Sequence, residues 1–329
     1  MFLHSSVSTK PHYNTLQYIS SSNAAIQYLG RWVSSVNGKW SAWSGSQIVF
    51  KVKNTLYLDV VADVLDPDAT AITAVSYDID NATPTSPVEY WTNAAATGTG
   101  LKTVRIIIPD NNEHTITLKT PGHNAYTYIQ TSKATIAQFG IEGRGSLYSW
   151  TQGNKIIQCV GDSWMGGQND WPRFMSTADY KLYPIGTGGL TCANMDTQYN
   201  YNYSGDLATT DSTAAAVIVS FGVNDFNASV TTASFETSMF SLYDKIRALQ
   251  PTAKIFLVRV PSNIGASKDY GQYGPNMATV VAARTNCVYV NTTSLDATIT
   301  WDADTNHLDG PGKLALAAFV KTQLIANGI

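Results

Sequence analysis

This sequence is short of charge, of cysteine and of long apolar runs. Asp, Glu, Lys and Arg make up 14% of its 329 residues, against roughly 25% in an average soluble domain, so uncharged polar groups must cover its surface. Its three cysteines are odd in number and lack Cys-x-x-Cys spacing, which excludes a disulfide framework and leaves Cys159, Cys192 and Cys287 to be read as plain buried thiols. The longest apolar stretch, around residues 214–219, is far too short to span a bilayer. The opening MFLHSSVSTK has no sustained apolar segment behind a positive one, so no signal peptide is visible and no membrane partner is expected. Basic excess is missing too: 21 Lys and Arg face 24 Asp and Glu, with 10 basic and 10 acidic residues over 1–150 and 11 and 14 over 151–329. No basic face remains to neutralise phosphates, which argues against nucleic acid as a partner. No His/Cys/Asp cluster has metal spacing, and no Gly-rich phosphate loop or dinucleotide fingerprint occurs, so no metal and no cofactor is expected.

What is present is a chain long enough for two cores, with 44% hydrophobic residues. Residues 1–30 are polar without clear periodicity and read as a linker. Residues 31–150 read as β throughout: Ile48, Phe50 and Val52 alternate with Val49, Lys51 and Lys53, and Leu56, Leu58 and Val60 with Tyr57 and Asp59. Similar runs follow at 75–79, 104–108 and 114–118, separated by turns at 66–68, 81–87 and 109–112, with no helical pattern between them. That is the grammar of an antiparallel sandwich. Over residues 151–329 it changes. Short continuous apolar strands at 155–160, 181–185, 214–221, 254–260 and 286–290 alternate with helical spacing at 234–249, 276–284 and 312–326. Strands buried on both faces predict a parallel sheet in a doubly wound α/β domain.

Sites in open α/β sheets collect at the carboxyl ends of the strands. The first of these strands runs into Gly161-Asp162-Ser163, the second into Gly186-Thr187-Gly188-Gly189 and the third into Gly222-Val223-Asn224-Asp225, while Asp304-Thr305-Asn306-His307 precedes the last helix. Ser163 is the candidate nucleophile, its hydroxyl presented at the start of the next helix. A serine needs a base, and His307 is the only histidine in residues 151–329. Asp304, three residues earlier, is spaced for a turn that brings a carboxylate to the other imidazole nitrogen. The N–H groups of Ser163 and Gly189 and the Asn224 amide are candidate oxyanion donors. Trp164, next to the candidate nucleophile, and Trp301, three residues before Asp304, are placed to offer an aromatic face to a substrate or to close a small pocket.

Together these four blocks resemble those of the SGNH, or GDSL-type, hydrolases over the whole of residues 151–329. The resemblance implies a flavodoxin-like three-layer fold with Ser163 as nucleophile, His307 as base, Asp304 as its orienter, and Ser163, Gly189 and Asn224 as the oxyanion hole, with Gly188 as the alternative register. Trp164 departs from the smaller aliphatic residue of GDSL members. The Gly-x-Ser-x-Gly elbow of α/β-hydrolases is absent. In the first half, Gly30-Arg31-Trp32, Trp43-Ser44-Gly45-Ser46-Gln47-Ile48, His114-Thr115-Ile116-Thr117-Leu118 and Gly140-Ile141-Glu142 resemble the all-β jelly-roll sandwich module that precedes the SGNH domain in carbohydrate esterase family two. That resemblance implies removal of acetyl groups from sugar hydroxyls, with an acetylated polysaccharide as partner.

Two competitors come from other classes. A glycosidase would use a carboxylate pair among Asp162, Asp225, Asp302 and Asp304, but such a pair leaves His307 and the glycine blocks unexplained. A carbohydrate-binding module with a decayed hydrolase half would not retain Ser163, His307 and Asp304 together. Lipase or thioesterase activity stays open, because fold does not fix the acyl group. The scarcity of Lys and Glu, with abundant Thr, Asn, Ser and Tyr, resembles bacteriophage tail-spike proteins. An extracellular or virion setting and a homotrimer are the corresponding expectations.

Overall fold

The computed structural model describes residues 15–41, 46–65, 76–80, 100–119, 133–151, 155–166, 170–175, 180–200 and 213–329. Residues 1–14, the turns expected at 66–68 and 81–87, and residues 43–45 of one jelly-roll motif lie outside them. Among the described residues eleven strands precede residue 150: β1 (Leu16–Ser20), β2 (Gln27–Leu29), β3 (Val33–Ser35), β4 (Gly38–Trp40), β5 (Gln47–Lys53), β6 (Tyr57–Leu65), β7 (Ser76–Ile79), β8 (Gly100–Ile107), β9 (His114–Lys119), β10 (Lys133–Glu142) and β11 (Ser146–Tyr148). They form two antiparallel sheets. One runs β3-β4-β10-β6-β8 with β1 beside β10, the other β11-β5-β9-β7 with β2 beside β5.

Alternation explains this half, since successive side chains in a strand point to opposite faces. Ile48, Phe50 and Val52 of β5, Leu58, Val60 and Ala62 of β6, and Ile116 and Leu118 of β9 all point into one core between the sheets. In β10 the inward residues switch from Ile136 to Phe139 and Ile141, because the register with β6 shifts between Ile136 and Gln138. A bulge of this kind adds one residue and changes the parity of the strand.

The division of the chain needs one correction. Residues 16–29, expected in the linker, belong to the sandwich: Leu16–Ser20 pair with residues 138–142 of β10, and Gln27–Leu29 with residues 47–49 of β5. Their apolar groups do not alternate cleanly, and the partner strands supply the order.

From Lys155 on, β12 (Lys155–Gly161), β13 (Tyr180–Gly186), β14 (Ala216–Ser220), β15 (Lys254–Val258) and β16 (Cys287–Val290) form a parallel sheet in the order β13-β12-β14-β15-β16. This is the doubly wound order 2-1-3-4-5. On one face Val217, Val219, Ile255 and Leu257 pack against α1 (Cys192–Gln198), α3 (Thr232–Leu249) and α4 (Gly274–Ala282). On the other, Ala216, Ile218, Phe256 and Val258 pack against α5 (Gly310–Ala326) and a short 3-10 turn at Pro172–Phe174. The strands are mostly apolar because both faces are covered. Cys159 and Cys192 are buried and Cys287 is only half-buried, so the expectation of three buried thiols holds for two.

The two halves are tied directly. Arg31 of the sandwich is buried, donates to the Tyr199 carbonyl just past α1, and lies 4.7 Å above the Tyr199 ring. The Tyr199 hydroxyl in turn donates to Gln158 Oε1 in β12 at 2.7 Å. No helix among the described residues is long and apolar enough to cross a membrane.

Candidate active site

The site forms at the carboxyl edge of the parallel sheet, where Gly161, Gly186 and Ser220 sit side by side in register. Glycine is required there by crowding. A Cβ on Gly161 would stand 2.4 Å from Met165 Cγ and 2.6 Å from Ser220 O, and one on Gly186 2.8 Å from Gly166 N. Ser163 does not open a long helix as expected. It sits in a single turn in which Met165 N and Gly166 N donate back to Asp162 O at 3.0 and 3.3 Å. The Asp162 side chain braces the same turn by accepting Trp164 N–H at 2.9 Å.

The Asp-x-x-His segment lies in a small hairpin closed by a bridge between Trp301 and Leu308 and by Asp302 N donating to His307 O at 2.8 Å. Thr305 adopts a left-handed φ of +60°, which curls the chain so that Asp304 Oδ1 accepts the N–H groups of Asn306 and His307, each at 2.9 Å. Asp304 Oδ2 meets His307 Nδ1 in a short contact. An ionised carboxylate only accepts, so Nδ1 carries the proton and Nε2 of the neutral imidazole is an acceptor. That nitrogen lies 2.9 Å from Ser163 Oγ. Burial pushes the Asp304 carboxyl up, but the hydrogen bonds from the His307 side chain and from the His307 and Asn306 N–H groups outweigh it and hold the group below its ordinary value. Ser163, His307 and Asp304, separated by up to 144 residues, thus form one hydrogen-bonded relay.

The expected oxyanion donors differ in exposure and in what holds them. Gly189 is exposed in the turn after β13 with φ of +81°, while Gly188 is buried, so Gly189 is the reachable one of the two. Asn224 opens α2 (Val223–Asn227), and its amide nitrogen lies 3.1 Å from both Asp162 Oδ2 and Leu190 O. Those acceptors already occupy its two N–H bonds, so an oxyanion must displace one of them. Asp162 and Asp225 sit beneath. Burial pushes Asp162 up to about 7, with hydrogen bonds pulling it back and the Asp225 charge adding to the rise. Burial likewise lifts Asp225 to about 6 against a hydrogen bond from Cys192 N–H.

The two tryptophans part company. Trp164 is 2% exposed and belongs to the core, with its indole N–H donating to Asn306 O at 3.0 Å, so it offers no free face to a sugar. Its role as a substrate platform is withdrawn: the residue after the nucleophile instead ties that turn to the histidine loop. Trp301 is half-exposed, with its ring centroid 5.7 Å from that of Trp164 and 5.6 Å from that of Tyr270. It alone of the pair keeps a surface for a ligand. Among the described residues no group of three His, Cys, Asp or Glu stands close enough to hold a metal ion.

The fold is a three-layer α/β domain carrying a jelly-roll sandwich at its N-terminal side. Residues 149–314 match the GDSL-like lipase/acylhydrolase family, and with just over half of its length inside that match the chain belongs to this family. No curated protein sequence matches it significantly. Among solved structures, a family two carbohydrate esterase from Cellvibrio japonicus superposes with a TM-score of 0.73 at 16% identity, covering 95% of this chain and 98% of that one. A family two carbohydrate esterase from Clostridium thermocellum, in complex with cellohexaose, superposes with 0.72 at 18% identity, covering 92% and 98%. An acetyl xylan esterase from Butyrivibrio proteoclasticus gives 0.61 at 13% identity, covering 94% and 98%. The likeness spans both halves, so the pairing of sandwich and α/β domain is shared with these enzymes.

Proposed function

We propose that the protein is a serine esterase that removes O-acetyl groups from a polysaccharide. The observation that carries this reading is the unbroken relay Ser163–His307–Asp304 at the sheet edge. His307 Nε2 takes the Ser163 proton as Oγ attacks the acetyl carbonyl, and the imidazolium is held by Asp304. The Ser163 and Gly189 N–H groups and one N–H of Asn224, released from Asp162 or Leu190, receive the oxyanion. His307 then gives that proton to the departing sugar oxygen, which leaves as a hydroxyl, and a water activated by the same nitrogen hydrolyses the acyl-enzyme, releasing acetate and restoring Ser163. The half-exposed Trp301 supplies a planar apolar face suited to a sugar ring. Family membership supports acyl-ester chemistry, and the whole-chain likeness to family two carbohydrate esterases, one of them seen with cellohexaose, supports a glycan as the ester's carrier. The low charge of the chain supports an extracellular or virion-borne setting and an O-acetylated surface glycan, with a homotrimer as the assembly. A light-scattering mass near one protomer would count against the trimer.

The test is acetate release from p-nitrophenyl acetate by the wild type and by Ser163→Ala, followed by longer acyl chains and acetylated polysaccharides. We expect Ser163→Ala to lower kcat by roughly a thousandfold or more, and wild-type turnover to fall steeply beyond acetyl. Turnover that survives Ser163→Ala rejects the relay. A preference for long acyl chains would move the protein toward the lipases.

A further inference from the structure

Asn306 lies between Asp304 and His307, yet its side chain takes no part in the relay. It is held from four directions. Its N–H donates to Asp304 Oδ1 at 2.9 Å, and its carbonyl accepts the Trp164 indole N–H at 3.0 Å. Its side-chain oxygen accepts from Lys268 Nζ at 2.8 Å and from the Tyr270 hydroxyl at 2.7 Å. Neighbouring Thr305 is gripped by the same segment: Lys268 Nζ donates to Thr305 Oγ1 at 2.8 Å, and Asn263 Nδ2 donates to Thr305 O at 3.1 Å. The segment doing this is stiff. Asn263 and Lys268 exchange both backbone hydrogen bonds, at 2.9 and 3.0 Å. Tyr270 and Asn263 are buried, and Arg259 anchors the base through Ser262 Oγ at 3.1 Å and Gly271 O at 3.2 Å.

We infer that Asn306 is a positioning residue of the catalytic loop and that Lys268 and Tyr270 act through it and through the neighbouring Thr305, whose hydroxyl accepts from Lys268 and whose carbonyl accepts from the Tyr270 hydroxyl at 3.2 Å. Thr305 sits in a backbone conformation that a residue other than glycine adopts only under constraint. The Asp304 carboxylate meets both N–H groups and the imidazole only while that turn persists. Two donors from a separate element, converging on one amide oxygen, keep it from opening and fix His307 Nε2 against Ser163 Oγ. Small displacements of a base are costly: a misplacement of about 1 Å lowers a rate by roughly a hundredfold.

This inference rests on the esterase reading, and the experiment separates the two. Steady-state kinetics on p-nitrophenyl acetate are measured for Ser163→Ala, Asn306→Ala, Tyr270→Phe, Lys268→Met and the double variant Asn306→Ala/Tyr270→Phe, with Tm recorded for each. We expect kcat to fall roughly tenfold or more in Asn306→Ala and by less in Tyr270→Phe and Lys268→Met, with KM within about twofold of wild type, because none of the three touches substrate. In the double variant the loss of kcat should be less than the product of the two single losses, since Tyr270 keeps only its bond to Thr305 O at 3.2 Å once the Asn306 side chain is gone. Lys268 is only half-buried, so its variant keeps the test valid if Asn306→Ala does not fold. Wild-type kcat in folded Lys268→Met and Tyr270→Phe would overturn the proposal, as would independent, multiplying losses in the double variant. Activity surviving Ser163→Ala would instead reject the esterase reading itself.

Discussion

Removing the guanidinium of Arg259 is the perturbation to which this structure should respond most sharply. Arg259 follows β15 and forms a two-pronged pair with Asp296, with both N···O distances 2.8 Å. The two side chains are only 9% and 11% exposed. Its remaining donors reach Ser262 Oγ at 3.1 Å, Gly271 O at 3.2 Å and Thr292 Oγ1 at 3.4 Å. Arg259→Met keeps the aliphatic stem but strands a largely buried Asp296 carboxylate, which also accepts Ser262 N–H at 2.9 Å. Leaving one member of a buried pair uncompensated costs about 3–5 kcal/mol. For a cooperative domain of this size that lowers Tm by about 10 °C, at roughly 2–4 °C per kcal/mol. Calorimetry on the whole chain measures the shift of the α/β domain's transition. Arg259→Met/Asp296→Asn should recover part of the loss, because no charge is then left unpaired. Gly271→Ala should be damaging for the same reason, since a Cβ there would stand 1.8 Å from Arg259 Nη2. A loss below about 1 kcal/mol in Arg259→Met, or a double variant that loses more than the single, would refute the reasoning.

Two further predictions concern pH. Burial raises the folded Asp162 carboxyl from 3.8 to about 7, so the folded state holds a proton that the unfolded chain has lost, and stability falls as pH rises between about 4 and 7. The span of about three pH units sets an upper limit of roughly 4 kcal/mol. The urea midpoint of the wild type should fall relative to that of Asp162→Asn as pH rises, and a wild-type midpoint that climbs relative to the variant over that window would contradict this. His114 in the sandwich is also raised: burial opposes its charge, but Asp80 at 2.6 Å from Nδ1 and Asp110 at 2.9 Å from Nε2 outweigh it. Its contribution is full below about pH 6.5 and is lost as pH climbs through the raised value. His114→Gln should therefore weaken the sandwich at pH 6 more than at pH 9, and an equal loss at both would reject the charged pairing.

Much of this architecture was legible because it follows from local chemistry. The parity of Ile48, Phe50 and Val52 marked a half-buried strand, and the apolar run ending at Gly161 a fully covered one. Three of the four site blocks were readable because each falls where its strand ends, and the fourth because it precedes the last helix, so chain order reported spatial neighbours that sit up to 144 residues apart. What stayed hidden depends on partners distant in sequence. In strand β1 only Leu16 and Ile19 are even half-buried, so nothing local separates it from a linker. Helices α1 and α2, seven and five residues long, are too short for a periodic stripe to show. A tryptophan beside a nucleophile reads equally well as a ligand platform or as core. Only the indole's bond to Asn306 O decides for Trp164. Lys268 and Tyr270 carried no signal, because their partner lies more than 35 residues further along the chain.

The bond from Arg31 to Tyr199 bears on how such a chain is inherited. A buried guanidinium from one half seated on a carbonyl and ring of the other makes the sandwich part of the hydrolase's own floor. A gene rearrangement that replaced the sandwich with another module would uncover Tyr199 and leave its carbonyl to find a new donor. Recombination is therefore channelled outward: new modules can be added beyond the ends of the pair far more readily than between its halves, and the two should descend together as one cassette.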